Sequence, residues 1–449
     1  PPEALAGTEL NAFWLSRELS EKYEFHIFAA TREPLLKDYS TITEEFSGLR
    51  VRRLKIPNEK SVYPIEPYFD QKIDDVFERY VEEVHPSLIH VHHLIHLSMG
   101  IVERAAAQQI PLVLHVRDFY FLCPRVFLFN SSNELCEPPI EGSKCVECLQ
   151  SCLILDPKTP RLLRSIYDQE TIAQAVRDRI EYVKRLLLLP DIIVCPSRFV
   201  KDELVRFGVE VSRVEVHPSG VTEFPRLKPK KPDSRITFGY LGGISLHKGA
   251  HVLLEAFSRL DQSKVELLFG GGDHALIKES IAQYGASNIK FMGVYSHEDL
   301  PDILSRLDVL VHPSICRESY SQVIHEALAA GVPVLVSDAQ AQRDDVENGV
   351  NGFRFKLGDP EDLKLKMEML LKNPELLQRL KKHKTKVRTI KEQSKGIEAI
   401  YRRLLQRRSR RFIGETLAEL GEIRRRVEAE KGRLELELLQ FVDPMRRLL

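Results

Sequence analysis

The sequence predicts an α/β protein made of two doubly wound, Rossmann-like domains with a C-terminal helical extension. Short apolar runs of strand length alternate steadily with helix-length segments, the signature of parallel sheets with helical crossovers. The alternation breaks at a basic, proline-rich stretch, residues 225–232, and restarts at residue 236. The chain's 449 residues also exceed what one ordinary core fills. The expected divisions are a domain over 1–221, a linker over 222–233, a domain over 234–390 and helices over 391–449.

The chain opens with a loop around Gly7-Thr8-Glu9, followed by a helical pattern (Leu10, Phe13, Trp14, Leu19) and a strand over 23–30. A doubly wound sheet normally has a strand before such a loop, so a strand upstream of Pro1 is expected. Strands are predicted over 49–56, 86–93 and 111–116, with helices over 70–84 and 97–109 between them. Helical pattern then dominates 160–189. A strand at 190–196 runs into Ser197, a suitable N-cap, and 214–221 is a last short strand and turn.

The second rhythm begins with a strand over 236–241 and the loop Gly242-Gly243-Ile244-Ser245-Leu246-His247-Lys248-Gly249. Such a loop lets backbone N–H groups and one cation, Lys248, meet a phosphate. Strands at 265–269 and 289–294 follow, the second ending at Val294, where a nucleotide base could be cradled. The stretch that organises the chain comes next: an apolar strand over 308–314, a polar loop over 313–321, a helix, and a strand over 332–337. Ligands of open α/β sheets lie at the carboxyl ends of strands, so Arg317, Glu318, Ser319, Tyr320 and Ser321 fall where chemistry is expected, before a helix start that attracts anions. Glu318 in the loop and Glu326 on the helix lie roughly 10 to 12 Å apart at about 1.5 Å per residue. One sugar does not span that distance. A sugar nucleotide does, with one carboxylate on sugar hydroxyls, the other on the ribose and the diphosphate over the helix start.

Glu318 to Glu326 resembles the Glu-x7-Glu motif of retaining nucleotide-sugar glycosyltransferases of the GT-B fold, the large family-4 class also called glycosyl transferases group 1. The resemblance is continuous from about 238 to 386 and patchier before. It implies two domains facing a cleft, a nucleotide diphosphate sugar as donor, a carbohydrate or glycoconjugate acceptor, as in polysaccharide biosynthesis, and independence of divalent metal. It implies that Glu318 contacts the donor sugar, Glu326 the ribose and Lys248 the diphosphate, and that Gly7 approaches the ligands. An arginine common earlier in the glycine loop falls at Gly243 here, and Arg317 is the candidate to replace it. The segment 118–125 resembles the acceptor side, with Asp118 in place. The family has histidine just before that Asp, where this chain has Arg117, with His115 two residues earlier. Arginine replaces hydrogen bonding there but not proton chemistry. Rivals on the same fold are an isomerase or phosphorylase, or a non-catalytic sugar-nucleotide-binding assembly protein.

Lysine plus arginine equal aspartate plus glutamate, at 65 each, which argues against a nucleic-acid partner bound through bulk charge. No apolar run reaches membrane-spanning length. Five of the seven cysteines crowd between Cys123 and Cys152, an odd total that does not suggest a secreted disulfide framework, so a cytoplasmic protein is expected, at most peripheral to a membrane. Cys145-x2-Cys148 with Cys123, Cys136 and Cys152 nearby could form a structural zinc site, hold reduced packing thiols or form disulfides. Finally, Ile413, Leu420, Val427, Leu434 and Phe441 recur every seven residues amid arginine and glutamate, as in an amphipathic or coiled-coil helix. Self-association or partner docking is expected of it, or packing along its own domain. Arg424 and Lys431 narrow its apolar seam.

Overall fold

The structure, a computed structural model of the chain, describes residues 7–57, 68–137, 142–155, 167–224, 235–272, 281–282, 284–285, 287–406 and 413–446. Most of the expected linker lies outside the described residues. By proximity the chain divides into two compact units: a first of residues 15–217 with 394–449, and a second of 1–14 with 218–393.

The opening helix α1 (Gly7–Leu19) starts at the expected loop glycine. In the first unit, β1 (His26–Thr31), β2 (Thr41–Phe46) and β3 (Leu49–Lys55) form a small sheet in the order β1-β3-β2. β1 runs parallel to β3 and β2 antiparallel to it. The sequence reading missed β2, whose outer residues are mostly exposed. Its hairpin turns on Ser47 and Gly48, both with positive φ (50° and 78°), as a two-residue loop between twisted strands requires.

Next come α2 (Gln71–Val84), β4 (Ile89–Val91), α3 (Gly100–Ala107), β5 (Leu112–His115), α4 (Ser143–Leu155), α5 (Gln169–Leu186), β6 (Ile192–Cys195), α6 (Arg198–Phe207) and β7 (Val214–Val216). Strands β4 to β7 form a parallel sheet in sequence order. Every residue of β5 and β6 is buried, as expected of strands covered on both faces. Asp70 caps α2 by accepting from the N–H groups of Lys72 and Ile73, and Ser197 caps α6 from Val200 N–H.

The second unit contains β8 (Ile236–Leu241), α7 (Ala250–Ser258), β9 (Val265–Gly270), β10 (Ile289–Gly293), α8 (Leu300–Ser305), β11 (Val309–His312), α9 (Gln322–Ala329), β12 (Val334–Ser337), α10 (Gln340–Asp345), β13 (Gly352–Phe355), α11 (Pro360–Lys372) and α12 (Pro374–Lys382). Its six strands are all parallel in the order β10-β9-β8-β11-β12-β13. Period-two alternation divides their apolar side chains between two cores. Leu267, Phe269, Val309, Val311 and Leu335 face α7 and α11; Leu268, Leu310, Val334 and Val336 face α8 and α9. The sheet is therefore wound on both sides, and its order reverses between β8 and β11. That switch point is where open α/β sheets bind ligands.

Two further helices end the chain, α13 (Ile390–Leu405) and α14 (Gly414–Arg446). Within the first unit, Ile397, Ile400, Tyr401 and Leu404 of α13 join Leu15, Leu19, Val113, Ile192 and Val194 in one core. The seven-residue seam of α14 is used inside the same unit: Leu420, Ile423, Val427 and Leu434 are all buried, and α14 packs on α5. Arg424, which looked like a flaw in the seam, binds buried Asp74 at 2.6 Å and Glu103 at 3.0 Å and lies over the Phe69 ring. Arg426 reaches Asp178 at 2.7 Å and Glu181 at 2.8 Å. Of the seam, Ile413 precedes the helix and the Phe441 side chain lies outside the described residues.

Candidate donor site and the histidine edge

In the second unit the loops after β8 and β11 leave the sheet side by side, because their strands are neighbours at the switch point. They are stitched together. His247 O accepts from Ile315 N (2.9 Å), Cys316 N (3.3 Å) and Ser314 Oγ (3.2 Å). Gly249 has φ +70°, and a Cβ there would lie 1.8 Å from Pro313 O, so only glycine lets the Lys248 loop close against its neighbour. Gly243 is exposed, with nothing within 4 Å of an added Cβ, and Val294 at the end of β10 is 75% exposed.

This closure brings Lys248 Nζ within 2.7 Å of Glu318 Oε1. Ser314 Oγ donates to the same oxygen at 2.8 Å, and His312 Nε2 lies 3.6 Å from it. Burial alone would push the Glu318 carboxyl up, but Lys248 and His312 together hold it well below the usual carboxylate range. Burial likewise works against the Lys248 charge, and Glu318 overrides it, so the ammonium is held more firmly than usual. Glu318 is therefore an ionised, acceptor-only group near neutral pH.

Ser321 occupies the N-cap position of α9 but makes no side-chain cap bond; its hydroxyl lies 3.3 Å from His312 Nε2 instead. The first N–H groups of α9 are thus left without a side-chain cap, which suits an anion at that helix end. Arg317 and Ser319 are half-buried in the same loop. Tyr320 stacks on His325 at 4.1 Å and donates its hydroxyl to Ser219 O at 2.6 Å. His325 in turn lies 3.2 Å from Asp345. Tyr320 thereby anchors the loop to the turn at Ser219-Gly220, which Asn11 and Gln393 clasp through reciprocal amide bonds. Glu326 is 7% exposed, with Oε1 3.6 Å from His297 Nε2; the His297 ring packs between Trp14 and Phe224. An added Cβ at Gly7 would make ordinary contact, 3.7 Å from Gln322 Cβ, so among the described residues nothing demands glycine there. The sequence reading missed His312 and His297. The first was legible as a polar residue ending an apolar strand next to the motif; the second carried no local signal.

In the first unit, His115 ends β5 with 0% exposure, and Arg117 follows it. Arg117 donates to His92 Nδ1 from Nε (3.2 Å) and Nη2 (3.0 Å), and the same Nη2 is 3.4 Å from His115 Nδ1. Tyr401 Oη lies 2.6 Å from His90 Nδ1. Burial first, and the Arg117 charge with it, pulls all three imidazoles down, His90 to about 3 and the others well below their ordinary value, so all are neutral near pH 7. Their ligand atoms lie within 4.8 Å of one another, a spacing that suits a metal ion. However, an arginine only donates, so the Nδ1 lone pairs of His92 and His115 are engaged and their protons reside on Nε2. The guanidinium holds the place a cation would take. Asp118 pairs with His93 at 3.0 Å and accepts from Tyr120 N.

The family described as Glycosyl transferases group 1 matches residues 222–387, and the family described as Glycosyl transferase 4-like domain matches residues 7–220. The chain is 30% identical to EpsD of Bacillus subtilis (strain 168) over 181 residues, 38% of this chain and 46% of that protein. It spans about half the length of the first curated relatives it matches. Among solved structures, sucrose-phosphate synthase from Thermosynechococcus elongatus superimposes with a TM-score of 0.64 at 18% identity, covering 89% of this chain and 94% of that one. HepE from Anabaena, in complex with UDP and glucose, gives 0.60 at 15% identity, covering 88% and 96%. Both share the GT-B fold.

Proposed function

Since the chain belongs to the glycosyl transferases group 1 family, we propose that it moves a glycosyl unit from a nucleotide diphosphate sugar to a hydroxyl of a glycan, lipid-linked or protein-linked saccharide, with retention at the anomeric carbon. The observation that carries this reading is the Lys248 and Glu318 pair at the switch point of the second unit, beside a helix start without a side-chain cap. A carboxylate and an ammonium 2.7 Å apart are a resting state that a donor can divide between them. The diphosphate takes Lys248 and the α9 N–H groups, and sugar hydroxyls donate to Glu318. Glu326, held beside His297, accepts from the ribose, and Val294 flanks the base.

Cleaving the sugar–phosphate bond places negative charge on the diphosphate and positive charge on the sugar. Lys248 and the oriented N–H groups stabilise the first, and ionised Glu318 favours the second. Neither group needs to reorganise its charge during the step, because the fold has already fixed both protonation states. No step needs a metal ion. His115, Arg117 and Asp118 are assigned to the acceptor side; there Arg117, which cannot give up a proton, acts as a hydrogen-bond donor.

The test is donor turnover and donor binding by the parent chain beside Lys248→Ala and Glu318→Ala. Turnover falls about 10²- to 10³-fold in Lys248→Ala, as for loss of one preorganised charge donor. A parent that binds nucleotide sugars yet turns none over, with any acceptor class, would instead favour the binding-protein reading, for which Arg117 in place of histidine is the motivating observation. Sugar release without a carbohydrate acceptor would favour an isomerase or phosphorylase.

A further inference from the structure

In the second unit one serine is placed to cap a helix and does not. Ser321 stands at the N-cap of α9 with the extended backbone that a cap requires, φ −101° and ψ 101°, yet its side chain bonds none of the helix's first N–H groups. Its hydroxyl lies instead 3.3 Å from His312 Nε2, its hydrogen-bond partner among the described residues. Ser321 is 6% exposed, so bulk water does not compete for that bond.

The strand dictates which way His312 points. Period two puts it on the same face of β11 as Leu310, which packs in one core with Ile324, Ala327 and Leu328 of α9. His312, the last residue of β11 and 8% exposed, therefore reaches the start of that helix. There Nε2 lies beside Ser321 Oγ and, at 3.6 Å, Glu318 Oε1. A lone pair aimed at an ionised carboxylate is repelled, so Nε2 carries a proton whether the imidazole is neutral or charged.

That proton fixes the roles of its neighbours. Ser321 Oγ accepts from Nε2–H and keeps its own O–H to donate. Lys248 Nζ, Ser314 Oγ and His312 Nε2 all gather at Glu318 Oε1. Among the described residues no hydrogen bond reaches Oε2. One oxygen of the carboxylate is thus engaged by the protein, and the other is left to a ligand.

We propose that His312 is a positioning residue of the donor site: it draws Ser321 off the α9 N-terminus, making it a hydroxyl donor to the diphosphate, and braces Glu318 so that Oε2 meets the sugar. The inference rests on the donor reading above; it adds His312 and gives Ser321 a defined role. An anion at the helix start meets the Ser321 O–H together with the uncapped N–H groups of α9 and the Lys248 ammonium. A capping serine would occupy one of those N–H groups and turn a lone pair toward the anion.

Binding of UDP, GDP and ADP to the full chain is measured by calorimetry beside Ser321→Ala, His312→Phe, His312→Gln and the double variant Ser321→Ala with His312→Phe. Unfolding midpoints and turnover of the matching diphosphate sugar are read for each. Ser321→Ala should weaken the preferred diphosphate about 10-fold, as for loss of a hydrogen bond to a charged group, and keep the parent's unfolding midpoint because no cap is lost. His312→Phe should weaken it by a similar factor and the double variant no further, since His312 acts on the diphosphate through Ser321. His312→Phe should also lower kcat more than Ser321→Ala does, because Glu318 loses a brace as well. His312→Gln, whose amide N–H can donate to the same hydroxyl, should restore most of the affinity.

Should His312→Phe fail to fold, Ser321→Ala and His312→Gln decide. Unchanged diphosphate affinity in Ser321→Ala overturns the proposal, as does a lowered unfolding midpoint there, the mark of a lost cap. A double variant weakened by the product of the two single factors also overturns it, since His312 would then act independently of Ser321. A parent that binds none of the three diphosphates removes the donor reading itself, and this proposal with it.

Discussion

The two units share one architecture, loops hung from the carboxyl ends of parallel strands, but they neutralise charge differently. In the second unit a cation and a carboxylate meet on the sheet edge itself, Lys248 with Glu318, from loops 70 residues apart. In the first unit the sheet edge carries a guanidinium cushioned by neutral imidazoles, Arg117 with His92 and His115. Buried Asp74 and Asp178 are met instead by α14, with Arg424 reaching Asp74 across 350 positions of sequence. Charge at the second unit's edge is exchangeable, half-open and suited to a ligand. Charge inside the first unit is locked in and serves the fold.

The largest effect should come from breaking the locked pair. Arg424→Ala leaves Asp74, which is fully buried, without its counter-ion, and should destabilise the chain by about 3–5 kcal/mol. Denaturant unfolding of the full chain measures it, while nucleotide-sugar affinity in the folded protein stays near the parent value. Lys248→Ala should show the reverse. The Lys248 side chain is 31% exposed and Glu318 keeps Ser314 and His312 beside it, so its loss should cost less stability than that of Arg424, but donor turnover collapses. Equal effects on stability would dissolve the contrast between the units.

Gly249→Ala sharpens it next. The added methyl meets Pro313 O, and the residue must hold φ +70°, so the Lys248 loop cannot keep its closure on the Pro313 loop. The expected cost is about 2–3 kcal/mol, accompanied by weaker donor binding. Both are read from one titration of unfolding with and without nucleotide sugar.

The same contrast explains what the sequence disclosed. The proposed donor site is legible because its residues are nearly contiguous: strand, Glu318, Ser321, helix and Glu326 are consecutive, and the glycine loop points to Lys248. Strand order could be anticipated only in kind, since nothing local says that β8 lies beside β11. His297, drawn to Glu326 from the end of another strand, has no signal of its own. The tail shows the other limit. Its seven-residue period correctly marks an apolar seam, but period alone does not name the partner surface. Arg424 reads as a defect until Asp74 and Glu103 are placed beneath it.

A smaller, pH-dependent effect is expected at His325, which braces Tyr320 and the loop after β11. Burial would lower its affinity for protons, but the bond to Asp345 and its charge outweigh burial and raise it above the ordinary value near 6.5. Its stabilising contribution is therefore complete below that value and is lost as pH rises through the raised one. Stability of the parent should decline over that window relative to His325→Gln, in which the slope disappears. A parent and variant with parallel profiles would show that the imidazole stays neutral.

The smallest effect should lie farthest from either charge system, at the hairpin the sequence reading missed. Gly48 has φ +78° but open space around it, so Gly48→Ala tests backbone conformation without a clash. An L-residue forced into the left-handed region costs about 1–2 kcal/mol, and an exposed hairpin can relax part of that, leaving about 1 kcal/mol. Ser47 already tolerates φ 50° beside it. Because β2 contributes mostly exposed residues, the loss should appear as faster amide exchange across β2 and β3 while the parallel sheet of β4 to β7 keeps its protection. Exchange that quickened equally in both sheets would mean that the hairpin and the parallel core unfold as one, and that α14 locks the whole first unit rather than its sheet alone.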